Sequence, residues 1–133
     1  MNQPTDHAAA RKVMIIDDSD LVLESTRLML EGRGFEVICA NTPIGASLVA
    51  YRVAPDIILI DLEMASMPGE RVVSAFKAKQ QMRDIPVLIY SAQPAQRLRA
   101  AAASCGADGY IEKTSDVDQL CDALARWLPP PLV

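Results

Sequence analysis

Four apolar runs of this chain end in residues that could handle a phosphoryl group. Val13-Met14-Ile15-Ile16 stops at Asp17-Asp18, and Ile57-Ile58-Leu59-Ile60 stops at Asp61. Val87-Leu88-Ile89-Tyr90 stops at Ser91, and the short run Tyr110-Ile111-Glu112 stops at Lys113. Runs of this length, rich in Ile and Val, read as strands buried on both faces of a parallel sheet. In open α/β sheets ligands bind outside the carboxyl ends of the strands. Three carboxylates, a hydroxyl and an ammonium are therefore predicted to meet at one edge of the sheet. Carboxylates so close together repel, which calls for a divalent cation, and a hard oxygen donor set suits Mg²⁺.

The elements that must position these groups alternate strictly. The first strand is predicted from about Lys12 to Asp17, and a helix follows from about Ser19 to Gly32, stopped by Gly32 and Gly34. The second strand is Phe35 to Ala40. Thr42-Pro43 then reads as an N-cap with proline at the first helical position, opening a helix to about Val53 that Pro55 ends. The third strand is Ile57 to Ile60. The stretch from Asp61 to Pro68 is long for a strand-to-helix connection, which suits a functional loop. A third helix is predicted over Glu70 to Gln81 and a fourth strand over Val87 to Ser91. A fourth helix runs from near Pro94 to Gly106, and the fifth strand from Gly109 to Lys113. Ser115 and Asp118 look like a capping box for a last helix reaching Leu128. Five βα units with right-handed crossovers make a doubly wound α/β sandwich. The expected organisation is a disordered tail over 1–10, one domain over 11–128 and a proline-rich tail over 129–133.

A chain of 133 residues fits one domain with a real core. Half of it is hydrophobic and 5% aromatic, so that core should be aliphatic. A net charge of −4 and a pI near 4.9 argue against a basic nucleic-acid-binding face. No apolar stretch approaches the ~20 residues of a membrane span, and Met1 to Ala10 lacks a signal-peptide hydrophobic region. A cytoplasmic protein with no membrane partner is the expectation. Cys39, Cys105 and Cys121 lack a C-x-x-C spacing and read as reduced, small apolar residues. The single histidine, His7, leaves no basis for a zinc site.

With these residues in place, Lys12 to Leu128 resembles the receiver domain of two-component response regulators, of the stand-alone chemotaxis-regulator type. The acidic pair after the first strand matches Asp17 and Asp18, and the phosphoacceptor after the third matches Asp61. The switch hydroxyl after the fourth matches Ser91, with the usual small residue in Ala92. The lysine after the fifth matches Lys113, and the aromatic switch position matches Tyr110. Met64 and Gly69 fall where the family's loop has methionine and glycine. Singly, each is also an ordinary turn, surface or core residue; together and in order they are specific.

The resemblance implies a flavodoxin-like (βα)5 fold with a parallel sheet of order 2-1-3-4-5. It implies that a histidine kinase or histidine phosphotransfer protein donates a phosphoryl group to Asp61. Asp17, Asp18, Asp61 and the Glu63 backbone carbonyl would hold Mg²⁺, and Lys113 would offset charge on the phosphoryl oxygens. Ser91 and Tyr110 would switch a target-binding face made of the fourth helix, fifth strand and fifth helix, where Arg97, Arg99 and the run Ala100 to Ala103 lie. Such a protein is a phosphoacceptor that assists its own phosphorylation and dephosphorylation rather than an enzyme, and it signals by phosphorylation-dependent protein binding or by passing the phosphoryl group on in a phosphorelay. Two departures stand out. Thr114 replaces the proline that follows the lysine, often across a cis bond. A cis bond to a residue other than proline costs ~2.5–4 kcal/mol, which leans the Lys113–Thr114 bond to trans. Ala65 replaces the proline after the methionine, which is expected to loosen the loop beside Asp61.

Two other readings compete. Asp18-Ser19-Asp20-Leu21-Val22 fits the D-x-D-x-[TV] element of haloacid-dehalogenase-like phosphatases. That scheme needs a further acidic pair after the lysine strand and leaves Asp61 idle. A receiver-fold interaction module that is not controlled by phosphorylation is the other alternative, supported by Thr114 and Ala65.

Overall fold

The computed structural model describes residues 10–128, so all but the last residue of the tail expected over 1–10, and the whole of that expected over 129–133, lie outside the described residues. Among the described residues, five strands and five helices alternate. They are β1 (Lys12–Ile16), α1 (Asp20–Glu31), β2 (Glu36–Ala40), α2 (Ala46–Val53) and β3 (Ile57–Ile60). Then come α3 (Gly69–Ala78), a 3₁₀ turn (Gln80–Met82), β4 (Val87–Ser91), α4 (Ala95–Cys105), β5 (Gly109–Glu112) and α5 (Val117–Ala125). The strands pair in parallel in the order β2-β1-β3-β4-β5, the predicted flavodoxin-like arrangement.

Each central strand alternates its side chains between two separate cores. Met14, Ile16, Ile58, Ile60, Val87 and Ile89 face α2, α3 and α4, packing with Val73, Phe76 and Leu98. Val13, Ile15, Ile57, Leu59, Leu88 and Tyr90 face α1 and α5, packing with Leu30, Leu120 and Leu124. That double burial is why β1, β3 and β4 read as unbroken apolar runs.

The helix ends differ from expectation in places. Ser19 caps α1, its hydroxyl accepting from the Val22 amide at 3.3 Å. α2 starts later than Thr42-Pro43 implies. The Thr42 hydroxyl accepts from the Ile44 amide instead, closing a local turn, and Gly45 enters the helix at φ 77°, a left-handed conformation that suits glycine. α3 stops at Ala78 and tightens into the 3₁₀ turn rather than running on to Gln81. Asp116, not Ser115, caps α5, its carboxylate accepting from the Asp118 and Gln119 amides. A carboxylate beside the first-turn amides also meets the positive end of the helix dipole, which a serine hydroxyl does less well. The described residues contain no cis peptide bond, so Lys113–Thr114 is trans. Among the cysteines, Cys39 is exposed rather than part of an apolar interior. Among the described residues, no helix is long and apolar enough to cross a membrane.

Candidate functional site

The sheet's hydrogen bonds run one residue past the ends of β1, β3 and β5, to Asp17, Asp61 and Lys113, while Ser91 is the last residue of β4. The Asp17 amide donates to the Ala40 carbonyl on β2, and the Asp61 amide to the Ile16 carbonyl on β1. Ile16 lies opposite Ile60, so Asp17 and Asp61 emerge side by side. On the far side the Lys113 amide donates to the Ser91 carbonyl, continuing the pairing of Ser91 with Glu112. Asp17, Asp61, Ser91 and Lys113 are thus aimed by backbone pairing, the most rigid part of the fold.

Their side chains converge. Lys113 Nζ lies 2.7 Å from Asp17 Oδ2 and 3.6 Å from Asp61 Oδ2. Asp17 is 1% exposed, Asp61 6% and Ser91 0%, whereas Asp18 faces solvent. Asp17 Oδ1 accepts from the Ser19 amide at 2.9 Å, and Asp18 Oδ2 from the Ala65 amide at 2.8 Å. Asp17, Asp18 and Asp61 each offer a ligand oxygen within 4.8 Å of the others. Asp20, the second aspartate of the D-x-D pattern, is outside this group; it sits at the start of α1 near Asn41. Two buried atoms at the centre, Asp61 Oδ1 and Ser91 Oγ, have no well-formed hydrogen bond. Buried polar atoms without partners are uncommon and mark a place where another group belongs.

The donor set fits Mg²⁺. All the ligand atoms are hard carboxylate oxygens, they cluster, one is buried without a partner, and Asp18 opens the site to the waters Mg²⁺ retains. Glycine at position 69 is required by the same crowding. Its amide donates to Leu62 at 2.9 Å, and any side chain there would collide with the Asp61 carbonyl and the Leu62 backbone.

Burial raises the Asp61 pKa above its usual value; the Asp17 charge adds to this, while Lys113, the nearby Glu63 amide and the Ser91 hydroxyl oppose it. The sign of the pH effect follows. The unfolded carboxyl titrates near ~3.9. Between that and the raised native value, the native state keeps a proton that the unfolded chain has lost, so stability falls as pH rises through this window. The charged, metal-free carboxylate therefore weakens the fold at neutral pH. Asp61→Asn is expected to be the more stable protein in chelator at neutral pH, with the gain shrinking as pH falls toward about 4. Melting temperatures of both proteins across that range check this; a variant that melts lower at neutral pH contradicts it.

Tyr110 is half-buried at the edge of the α4 side. Arg99 donates to its hydroxyl at 3.2 Å and lies 6.0 Å from its ring centroid. Arg97 turns instead toward α3, 3.3 Å from Glu70. The small-residue run of α4 is divided: Ala101 and Ala102 are buried in the core, while Ala100 and Ala103 face out. Tyr90 is a neighbour that sequence reasoning passed over. Its ring is buried 6.0 Å from Lys113 Nζ, forming an apolar wall behind the ammonium. Its place as the last apolar residue before Ser91 was the available signal.

The response regulator receiver domain family matches residues 13–125. The chain belongs to that family. Among curated proteins it is 32% identical over 107 residues to the transcriptional regulatory protein KdpE of Mycobacterium tuberculosis, covering 80% of this chain and 46% of that protein. It is 26% identical over 118 residues to the polar-differentiation response regulator DivK of Brucella ovis, covering 89% of this chain and 96% of DivK. The chain therefore spans about half the length of KdpE and nearly all of DivK. Among solved structures, the chemotaxis protein CheY4 of Vibrio cholerae superposes with a TM-score of 0.82 at 26% identity, covering 90% of this chain and 99% of that one. Receiver domains are signalling modules of two-component phosphorelays, distinct from conventional enzymes. They bind Mg²⁺ at an acidic pocket and interact with histidine kinases and downstream targets.

Proposed function

We propose that this receiver domain accepts a phosphoryl group on Asp61 in a Mg²⁺-dependent reaction and signals through a change in protein binding. The observation that carries the reading is Lys113 Nζ held between Asp17 and Asp61, next to a buried Asp61 oxygen without a partner. The donor is a phosphohistidine on a sensor kinase or phosphotransfer protein, in the cytoplasm. An Asp61 carboxylate oxygen bonds to phosphorus as the P–N bond breaks, and the electron pair leaves with the imidazole. Asp17, Asp18, Asp61 and the Glu63 carbonyl hold the cation, which when bound offsets negative charge on the phosphoryl oxygens. Lys113 supplies a second positive charge beside Asp61. It is already desolvated, at 18% side-chain exposure, so its attraction for an incoming anion is less screened than that of a surface lysine. The Ser91 hydroxyl, buried and with no well-formed hydrogen bond, donates to a phosphoryl oxygen once Asp61 is modified. The target binds the face formed by α4, β5 and α5.

Incubation with acetyl phosphate and Mg²⁺, followed by intact-mass measurement, tests the reading: one phosphoryl group is expected, lost when the metal is chelated. Asp18→Asn is expected to weaken Mg²⁺ binding and block this labelling while leaving the circular dichroism spectrum unchanged, because Asp18 is exposed and holds no part of either core. Removing one of three crowded like charges should also leave the metal-free protein at least as stable. Unchanged Mg²⁺ affinity in that variant counts against the site.

A further inference from the structure

Ala65 stands where the family usually has proline, and it keeps a group that proline lacks, the backbone N–H. That N–H donates to Asp18 Oδ2 at 2.8 Å, joining the loop after β3 to the loop after β1. The loop beside Asp61 is therefore tied across the site, contrary to the loosening expected of a residue other than proline.

The contact matters because of what Asp18 would do without it. Asp18 is exposed, and its two acidic neighbours, Asp17 and Asp61, are buried. A freely rotating carboxylate there is drawn outward by solvation and pushed outward by repulsion. Asp17 does not have this freedom: it is buried, bonded to the Ser19 amide and paired with Lys113. For Asp18 the Ala65 amide fills that role. A hydrogen bond to an ionised carboxylate is among the stronger kinds, and with it in place the Asp18 ligand oxygen lies within 4.8 Å of those of Asp17 and Asp61.

We propose that the Ala65 amide is a positioning group for the cation site, presetting Asp18 as a ligand before the metal arrives. The inference rests on the reading of Asp17, Asp18 and Asp61 as a Mg²⁺ site. It makes the absence of proline at position 65 a feature of metal binding in this chain. Hydrogen-bond partners of metal-ligating carboxylates typically contribute about 10–100-fold in affinity; with Asp18 solvent-exposed, the lower end applies.

The test is Mg²⁺ titration, by calorimetry or amide chemical shifts, of the wild type, Ala65→Ser and Ala65→Pro. Serine keeps the N–H and is expected to bind as the wild type does. Proline removes it and is expected to bind about tenfold more weakly. Melting in chelator controls for a general loss of structure. Should Ala65→Pro fail to fold, an ester linkage with lactic acid in place of Ala65 removes the N–H alone and carries the same expectation. In the wild type, hydrogen exchange at the Ala65 amide is expected to be slow without metal and no faster with it. Affinity in Ala65→Pro equal to or tighter than wild type overturns the proposal, as does an Ala65 amide that exchanges faster once Mg²⁺ is bound. If Asp18→Asn weakens binding while Ala65→Pro does not, only this inference falls. If the wild type shows no saturable Mg²⁺ binding, the site reading falls with it.

Discussion

With acetyl phosphate and Mg²⁺, an Asp61→Asn variant is expected to take up no phosphoryl group, while the wild type takes up one. An amide oxygen is too weak a nucleophile to form the acyl phosphate, so the loss should be complete rather than partial. Asp17 and Asp18 cannot substitute. Asp17 is already engaged by Lys113 and the Ser19 amide, and Asp18 by the Ala65 amide. Asp61 Oδ1, by contrast, is buried and makes no well-formed hydrogen bond. Asparagine is nearly isosteric and removes an unfavourably buried charge, so failed folding is not a competing explanation for lost labelling. Intact mass and peptide mapping give the answer: stoichiometric label on the Asn variant, or label on Asp17 or Asp18 in the wild type, would falsify the assignment.

The parts of this site that sequence made legible are those set by strand ends. β1, β3 and β4 are buried on both faces, so their residues form continuous Ile- and Val-rich runs, and the first polar residue after each run marks the crevice. Asp17, Asp61 and Ser91 are found that way; at β5 the first polar residue is Glu112, and Lys113 is the residue after it. What stayed hidden depends on contacts between segments far apart in sequence. The Ala65 amide meets Asp18 across 47 residues, and no local pattern announces it. The start of α2 was misread because Thr42-Pro43 is also a turn sequence, and the left-handed Gly45 that delays the helix leaves no distinct signature. At α5 two capping residues, Ser115 and Asp116, stand in succession. The choice between them is settled by the Thr114 hydroxyl, which accepts from the Asp116 amide and turns the chain there.

The other large effect concerns how phosphorylation would reach the outer surface. Ser91 Oγ is fully buried near the Asp61 carboxyl and makes no well-formed hydrogen bond in the resting state. A phosphoryl oxygen on Asp61 would supply the missing partner and draw the loop into α4 inward. Tyr110 lies on the next strand, where Ile89 pairs with it in register, and its hydroxyl and ring are both held by Arg99 of α4. Inward movement of the α4 entry would therefore have to break or carry along the Arg99–Tyr110 contact. Such a linked pair behaves as a two-state element biased by a local charge change. Beryllofluoride, which mimics the phosphoryl group, is expected to perturb amide shifts or hydrogen exchange from Arg97 to Tyr110 in the wild type as well as around Asp61. In Ser91→Ala the perturbation around Asp61 is expected to remain and the distal one to vanish, because the metal and Lys113 still hold the anion while the link to the loop is gone. Removing an unsatisfied buried hydroxyl costs little in stability, so the variant reports on coupling and not on folding. A wild type perturbed only around Asp61 would mean that the domain carries phosphoryl groups without switching its α4–β5–α5 face.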